Sequence, residues 1–114
     1  MSARTFQWFI IPVEGPAVLH TFTSDDGTTL KELQQIVGGL IECVNMNHEI
    51  DMWINEEGRI IGLEPNIKAT MLLVSQGWEG GMILGPAVIT GYDGDGNTTS
   101  VPQDMLDFVL GDAK

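Results

Sequence analysis

The residues of this 114-residue chain best equipped for chemistry are Asp93, Asp95 and Asn97, spaced D-x-D-x-N, with Thr99 and Asp104 further on. Alternating oxygen donors suit Ca²⁺, and Asp104 falls twelfth when Asp93 is counted first. The sixth position of such a loop needs glycine for its sharp turn, yet it is Thr98, and Pro102 interrupts the remainder. Asp-Gly-Asp-Gly-Asn is also an ordinary hairpin turn, so no metal is assigned. Cys43 could serve as a nucleophile beside His20 or His48, but it falls mid-strand, where a buried inert thiol is the commoner case. Two histidines fall short of the roughly four N or S donors that zinc takes. The sequence contains no G-x-S-x-G, no P-loop and no G-x-G-x-x-G opening a helix. No catalytic residue and no cofactor is assigned.

A binding role has better candidates. Asn55, Glu56, Glu57 and Arg59 crowd one turn, and Asn66 and Lys68 follow closely. Together with Gly38 and Gly39 they could line a pocket for a small polar ligand. Turn geometry and helix capping also account for Asn55, Gly58 and Asn66 with no ligand at all. Glu42 shares a strand face with Leu40, Val44 and Met46, so it is either a buried carboxylate needing a donor or a side chain reaching water at the sheet margin. The second is favoured. Trp8, Trp53 and Trp78 each carry an N–H that needs a partner, and Trp78, beside Glu79-Gly80-Gly81, is expected near the surface.

The elements that must hold these residues are built around Leu30 to Met46. Leu30, Leu33, Ile36 and Val37 recur at helical spacing, with Lys31, Glu32, Gln34 and Gln35 on the other side. Thr29 with Glu32 reads as a capping box, and Gly38 and Gly39 as positive-φ residues that end the helix and start a strand over Leu40 to Met46. Before this unit, Phe6 to Ile11 and Ala17 to Thr23 read as strands. After it, Ile50 to Ile54 and Arg59 to Leu63 read as a hairpin about the loop Asn55 to Gly58, with Gly58 in a left-handed position. Asn66 is a good N-cap for a helix over Ile67 to Gln76, ended by Gly77, with Ile67, Met71 and Val74 as its inward stripe, widened by Leu72 and Leu73. That helix is expected to be more buried than the first. Met82 to Thr90 reads as a strand bent or at an edge near Pro86, and Thr98 to Val101 returns after the Tyr92 to Asn97 turn. A last helix, about Pro102 to Leu110, is capped by Ser100 and Gln103; it turns Met105, Leu106, Phe108 and Val109 inward and Asp104 and Asp107 outward. The expected class is α+β, one domain over residues 1–114, with a mainly antiparallel sheet of about six to seven strands and two to three helices packed on one side.

Composition narrows the function classes. Sixteen acidic residues oppose five basic ones, Arg4, Lys31, Arg59, Lys68 and Lys114, for a formal net charge of −11. A nucleic-acid binder needs several cations on one face to displace phosphate counterions, so direct nucleic-acid binding and anionic membranes are not expected. No apolar run approaches the ~18 residues of a membrane span, and the N-terminal stretch lacks a signal-peptide pattern. A soluble, intracellular protein is expected, and the single Cys43 fits a reducing compartment.

Three stretches, LQQIVGGLIECV, INEEGRIIGLEPNIKAT and ILGPAVITGYDGDGNT, resemble in that order an uncharacterised family of phage and bacterial proteins, the domain of unknown function 3846. The most specific parts are Val37-Gly38-Gly39 with Glu42, the Asn55 to Gly58 turn, Asn66 to Thr70, and Gly85-Pro86. The resemblance runs from Phe6 to Val101 and leaves the terminal helix outside. It implies a small phage accessory protein acting in the host cytoplasm, and it brings no agreed activity. The resulting expectation is a non-enzymatic protein that binds a host protein with a basic surface, for host takeover or anti-defence. The alternative is a small-molecule or nucleotide-signal binding module, which would need Arg59, Lys31 or Lys68 to converge on a phosphate.

Overall fold

The computed structural model describes residues 3–25, 28–46, 49–102 and 104. Strands β1 (Arg4–Ile11) and β2 (Val18–Ser24) precede helix α1 (Leu30–Val37). Then come β3 (Ile41–Asn45), β4 (Ile50–Asn55), α2 (Ile67–Val74), β5 (Ala87–Tyr92) and the short β6 (Thr98–Thr99). The strands form one six-stranded sheet in the order β2-β1-β5-β4-β3, with β6 paired to β5 and every pairing antiparallel. This is the expected α+β class. The terminal helix expected over residues 102–110, apart from residues 102 and 104, its cap at Gln103, and His48 lie outside the described residues.

Side-chain alternation along the strands sorts the core into two layers. Phe6, Trp8 and Val88 point to one face and pack with Leu33 and Val37 of α1. Phe9, Ile11, Met52, Ile54, Ala87 and Ile89 point to the other and pack with Ala69 and Leu73 of α2. The two described helices therefore cover opposite faces of the sheet, where the sequence suggested one side. Each face is buried by its own helix, which is why the central strands β1, β4 and β5 carry apolar residues on both faces.

Three local expectations are corrected. Thr29 makes no side-chain cap; Glu32 turns away and meets His20, with Oε2 2.6 Å from Nε2. Of the glycine pair, only Gly38 is left-handed (φ +84°), its N–H donating to Gln34 O at 2.9 Å; Gly39 instead leaves room for Asn55, whose Nδ2 would lie 3.1 Å from an added Cβ. Arg59–Leu63 is not a strand. Both edges of β4 are already taken by β3 and β5, so no returning strand can pair there. The chain turns instead, with Ile61 N donating to Glu57 O at 3.0 Å and Leu63 N to Gly58 O at 2.9 Å, and the left-handed residue is Gly62 rather than Gly58.

Helix α2 is rotated relative to the sequence reading. Asn66 caps it as expected, its side-chain oxygen accepting from Ala69 N at 3.0 Å. The same side chain is fully buried and donates to Ile11 O (2.8 Å) and Gly85 O (2.9 Å). That anchor directs Asn66, Ala69, Thr70 and Leu73 to the sheet and turns Ile67, Met71 and Val74 out into solvent. Strand β5 begins only at Ala87. The residues before it run beside 64–66 instead, with Asn66 N donating to Ile83 O and Gly85 N to Glu64 O, both at 2.7 Å.

Candidate functional site

The β3–β4 hairpin places the candidate residues at one end of the sheet. Glu42 lies opposite Ile54, and Glu56 N donates to Leu40 O at 2.8 Å, extending the ladder by one residue beyond the Ile41–Asn55 pair. Glu42 and Glu56 thus occupy the same face as diagonal cross-strand neighbours, about 7 Å apart by sheet geometry. Across from them, the turn after β4 and the segment 78–84 close an open cleft of about 360 Å³. Its lining includes Glu42, Glu56, Arg59, Trp78 and the exposed Met82, with Ile54 and Ile83 as its buried apolar residues.

The cleft is held by backbone and buried polar contacts. Asn55, which lines it, is buried and already spent: Nδ2 donates to Val37 O at 3.1 Å and Oδ1 accepts from Glu57 N at 2.7 Å. Gly58 sits under Leu84, whose Cβ would lie 3.2 Å from an added methyl, so the turn presses against the opposite wall. The Trp78 indole donates to Gly81 O at 2.8 Å and is half-buried, as its place in the sequence suggested. A guanidinium nitrogen of Arg59 approaches the same Gly81, 3.5 Å from where its Cβ would be. Glu42 is exposed, as favoured from the sequence. Neither Glu42, Glu56 nor Arg59 makes an ion pair or a side-chain hydrogen bond with another described residue.

Of the six residues singled out in the sequence, the cleft gathers Asn55, Glu56 and Arg59. Glu57 is exposed on the turn but does not line it. Asn66 is the buried anchor of α2, with its donors and acceptor consumed by the fold. Lys68 lies elsewhere, Nζ donating to Gly15 O at 3.4 Å. Lys31 lines a separate hollow with Phe22 and Asp25. The three cations offered as candidates for a phosphate site, Arg59, Lys31 and Lys68, are therefore in three places. Trp78 and Met82 join the site through segment 78–84, whose approach no local pattern announced. Glu42 could have been added from the hairpin register, since Ile41 pairs with Asn55.

The other candidate centres are accounted for locally. Cys43 is exposed rather than buried as expected. Partial burial, the Asp51 charge and a hydrogen bond with Asp51 push its thiol from 9.0 up to about 12, the reverse of what activates a nucleophile. Asp93 Oδ1 accepts from Asp95 N and Asn97 N, each at 2.9 Å, and these backbone bonds, Asn97's foremost, hold its carboxyl below the usual value. The turn's own amides thus engage the oxygen that a cation would need. Among the described residues, no group of three or more His, Cys, Asp or Glu could hold a metal ion, and no helix is long and apolar enough to cross a membrane.

Fold and site together define a small α+β domain with an open acidic and apolar cleft at one end of an antiparallel sheet. The chain belongs to the family described as a domain of unknown function (DUF3846), whose model matches residues 8–112. That match takes in the terminal segment which the sequence motifs left out. No curated protein and no solved structure matches the chain.

Proposed function

We propose that this chain is a non-enzymatic binding protein whose partner is another protein with a basic surface. The observation that carries the reading is the turn after β4. It displays Ile60 at 82% and Ile61 at 54% exposure beside Glu56 and Glu57, on a backbone pinned by its own hydrogen bonds. Ordered apolar side chains held in water beside acids make a protein-docking surface with a preference for cations. The net charge of −11 adds long-range attraction to such a partner and repels polyanions. On the phage reading that the sequence resemblance implies, the partner is a host protein met in the host cytoplasm, and binding serves takeover or anti-defence.

The test is quantitative capture from host lysate with the full chain and with an Ile60→Asp, Ile61→Asp variant of unchanged fold. The expected result is a basic protein retained by the parent, lost with the variant and released by salt. Identical retention by the two proteins overturns the reading.

A further inference from the structure

We infer that the cleft between β4 and segment 78–84 receives a lysine or arginine side chain carried on an apolar-flanked segment of the partner. This deepens the protein-binding reading above and rests on it. The charge balance of the cleft makes the argument. Glu42 and Glu56 face it as diagonal neighbours of one hairpin, and both are exposed to a cation that enters it. Arg59 lines the same cleft yet pairs with neither, and no other described residue pairs with them, which leaves both acids open to a cation from outside.

The remaining walls suit the rest of such a side chain. Trp78 adds apolar wall to the cleft, its N–H taken by Gly81 O and its half-buried ring packed on the core and close against Gly80. Ile54 and Ile83, with the exposed Met82, give apolar lining for the methylene stem of a lysine or arginine, which buries its carbons while its head seeks the carboxylates. A space of about 360 Å³ takes that side chain together with part of its neighbours. Ile60, exposed at the mouth, meets the flanking apolar residues. Two carboxylates against one guanidinium select a cation over an anion, and the Arg59 charge opposes the incoming cation.

This last point makes the assignment testable by sign. The probe is acetyl-Leu-Lys-Leu-amide, with acetyl-Leu-Glu-Leu-amide as control, titrated into the full chain and followed by ¹H–¹⁵N NMR. The Trp78 indole N–H and the amides of residues 54–60 and 78–84 should shift with the lysine probe and not with the control. Glu42→Gln and Glu56→Gln, both at exposed positions, should each weaken binding about threefold, and Arg59→Ala should tighten it by a similar factor. Weaker binding by Arg59→Ala, or equal binding of the control peptide, overturns the assignment. Lysine-probe shifts spread over the acidic surface remove the cleft but leave the basic-partner reading standing, because the capture experiment with the isoleucine variant decides that reading separately. A lysine probe that shifts nothing also overturns the cleft.

Discussion

Cys43, on the strand face opposite Glu42, offers the sharpest quantitative test of the local electrostatics. It pairs across the hairpin with Trp53, and partial burial first, then the Asp51 carboxylate diagonal to it on the same face, destabilise its anion. With a pKa of about 12 against an ordinary 9.0, the thiolate fraction at about pH 8 falls by about a thousandfold. Each remaining thiolate is a better nucleophile, and a Brønsted slope of about 0.4–0.5 returns part of the loss, leaving exchange about 30- to 60-fold slower. Solvent screens the Asp51 charge at this exposed strand, which sets about tenfold as the floor. The assay is exchange with the uncharged 4,4′-dithiodipyridine, with the same chain in urea as the reference thiol. Asp51→Asn removes the charge but not the partial burial, so it should recover only part of the difference. Native exchange as fast as in urea, or a rate unmoved by Asp51→Asn, would refute the account.

Other positions give independent outcomes. Asn66→Ala removes an N-cap and strands the carbonyls of Ile11 and Gly85, so equilibrium urea unfolding should show a loss of about 2–4 kcal/mol; under 1 kcal/mol would mean that water replaces the side chain. Gly91→Ala would set a Cβ 2.4 Å from Ser100 O, a backbone atom, so amide exchange should accelerate at Thr98 and Thr99 as β6 detaches from β5. Asp93 has a folded pKa below the ordinary 3.8, so its contribution is complete above that value and is lost as pH falls through the lower folded one. The Asp95 and Asn97 amide resonances should therefore titrate with a midpoint below 3.8, and a midpoint at or above it contradicts the turn geometry.

What could be read from residue order was mostly local. Leu30–Val37 with Gly38 as a left-handed stop follows from apolar spacing and glycine's backbone freedom, and Asn66 as an N-cap and the 92–97 turn from side chains acting on backbone within four residues. The Phe6 and Ala17 segments announced β1 and β2 by composition and alternation. Helix α2 shows where such reading fails. The inward face was assigned to the most apolar stripe, Ile67–Met71–Val74, whereas the true face is Asn66–Ala69–Thr70–Leu73. One buried amide bonded to carbonyls from Ile11 and Gly85 outweighs the apolar count, and no periodicity scale registers a bond between residues so far apart in the chain. The small Ala69 and Thr70 then allow close approach, with Thr70 Oγ1 donating to Asn66 O and accepting from Ile83 N.

The turn after β4 carries the same lesson into function. In isolation, Asn-Glu-Glu-Gly followed by Arg-Ile-Ile-Gly-Leu looks like a hairpin returning along its own strand. The sheet order β2-β1-β5-β4-β3 forbids it, because β5 arrives from far along the chain and takes the edge that a returning strand would use. Residues 59–63 leave the sheet, and the two isoleucines that would have alternated within a ladder stand in water instead. Their exposure follows from nonlocal topology, and so does the cleft beneath them, since the same departure carries Arg59 toward Gly81 and opens the space facing Glu42. Ile60, exposed at 82%, contributes little to the stability of this fold, and Ile61, exposed at 54%, only part of what full burial would give. The favourable term they could supply is realised only when another surface removes them from water, and the acids around them determine the charge that surface should carry.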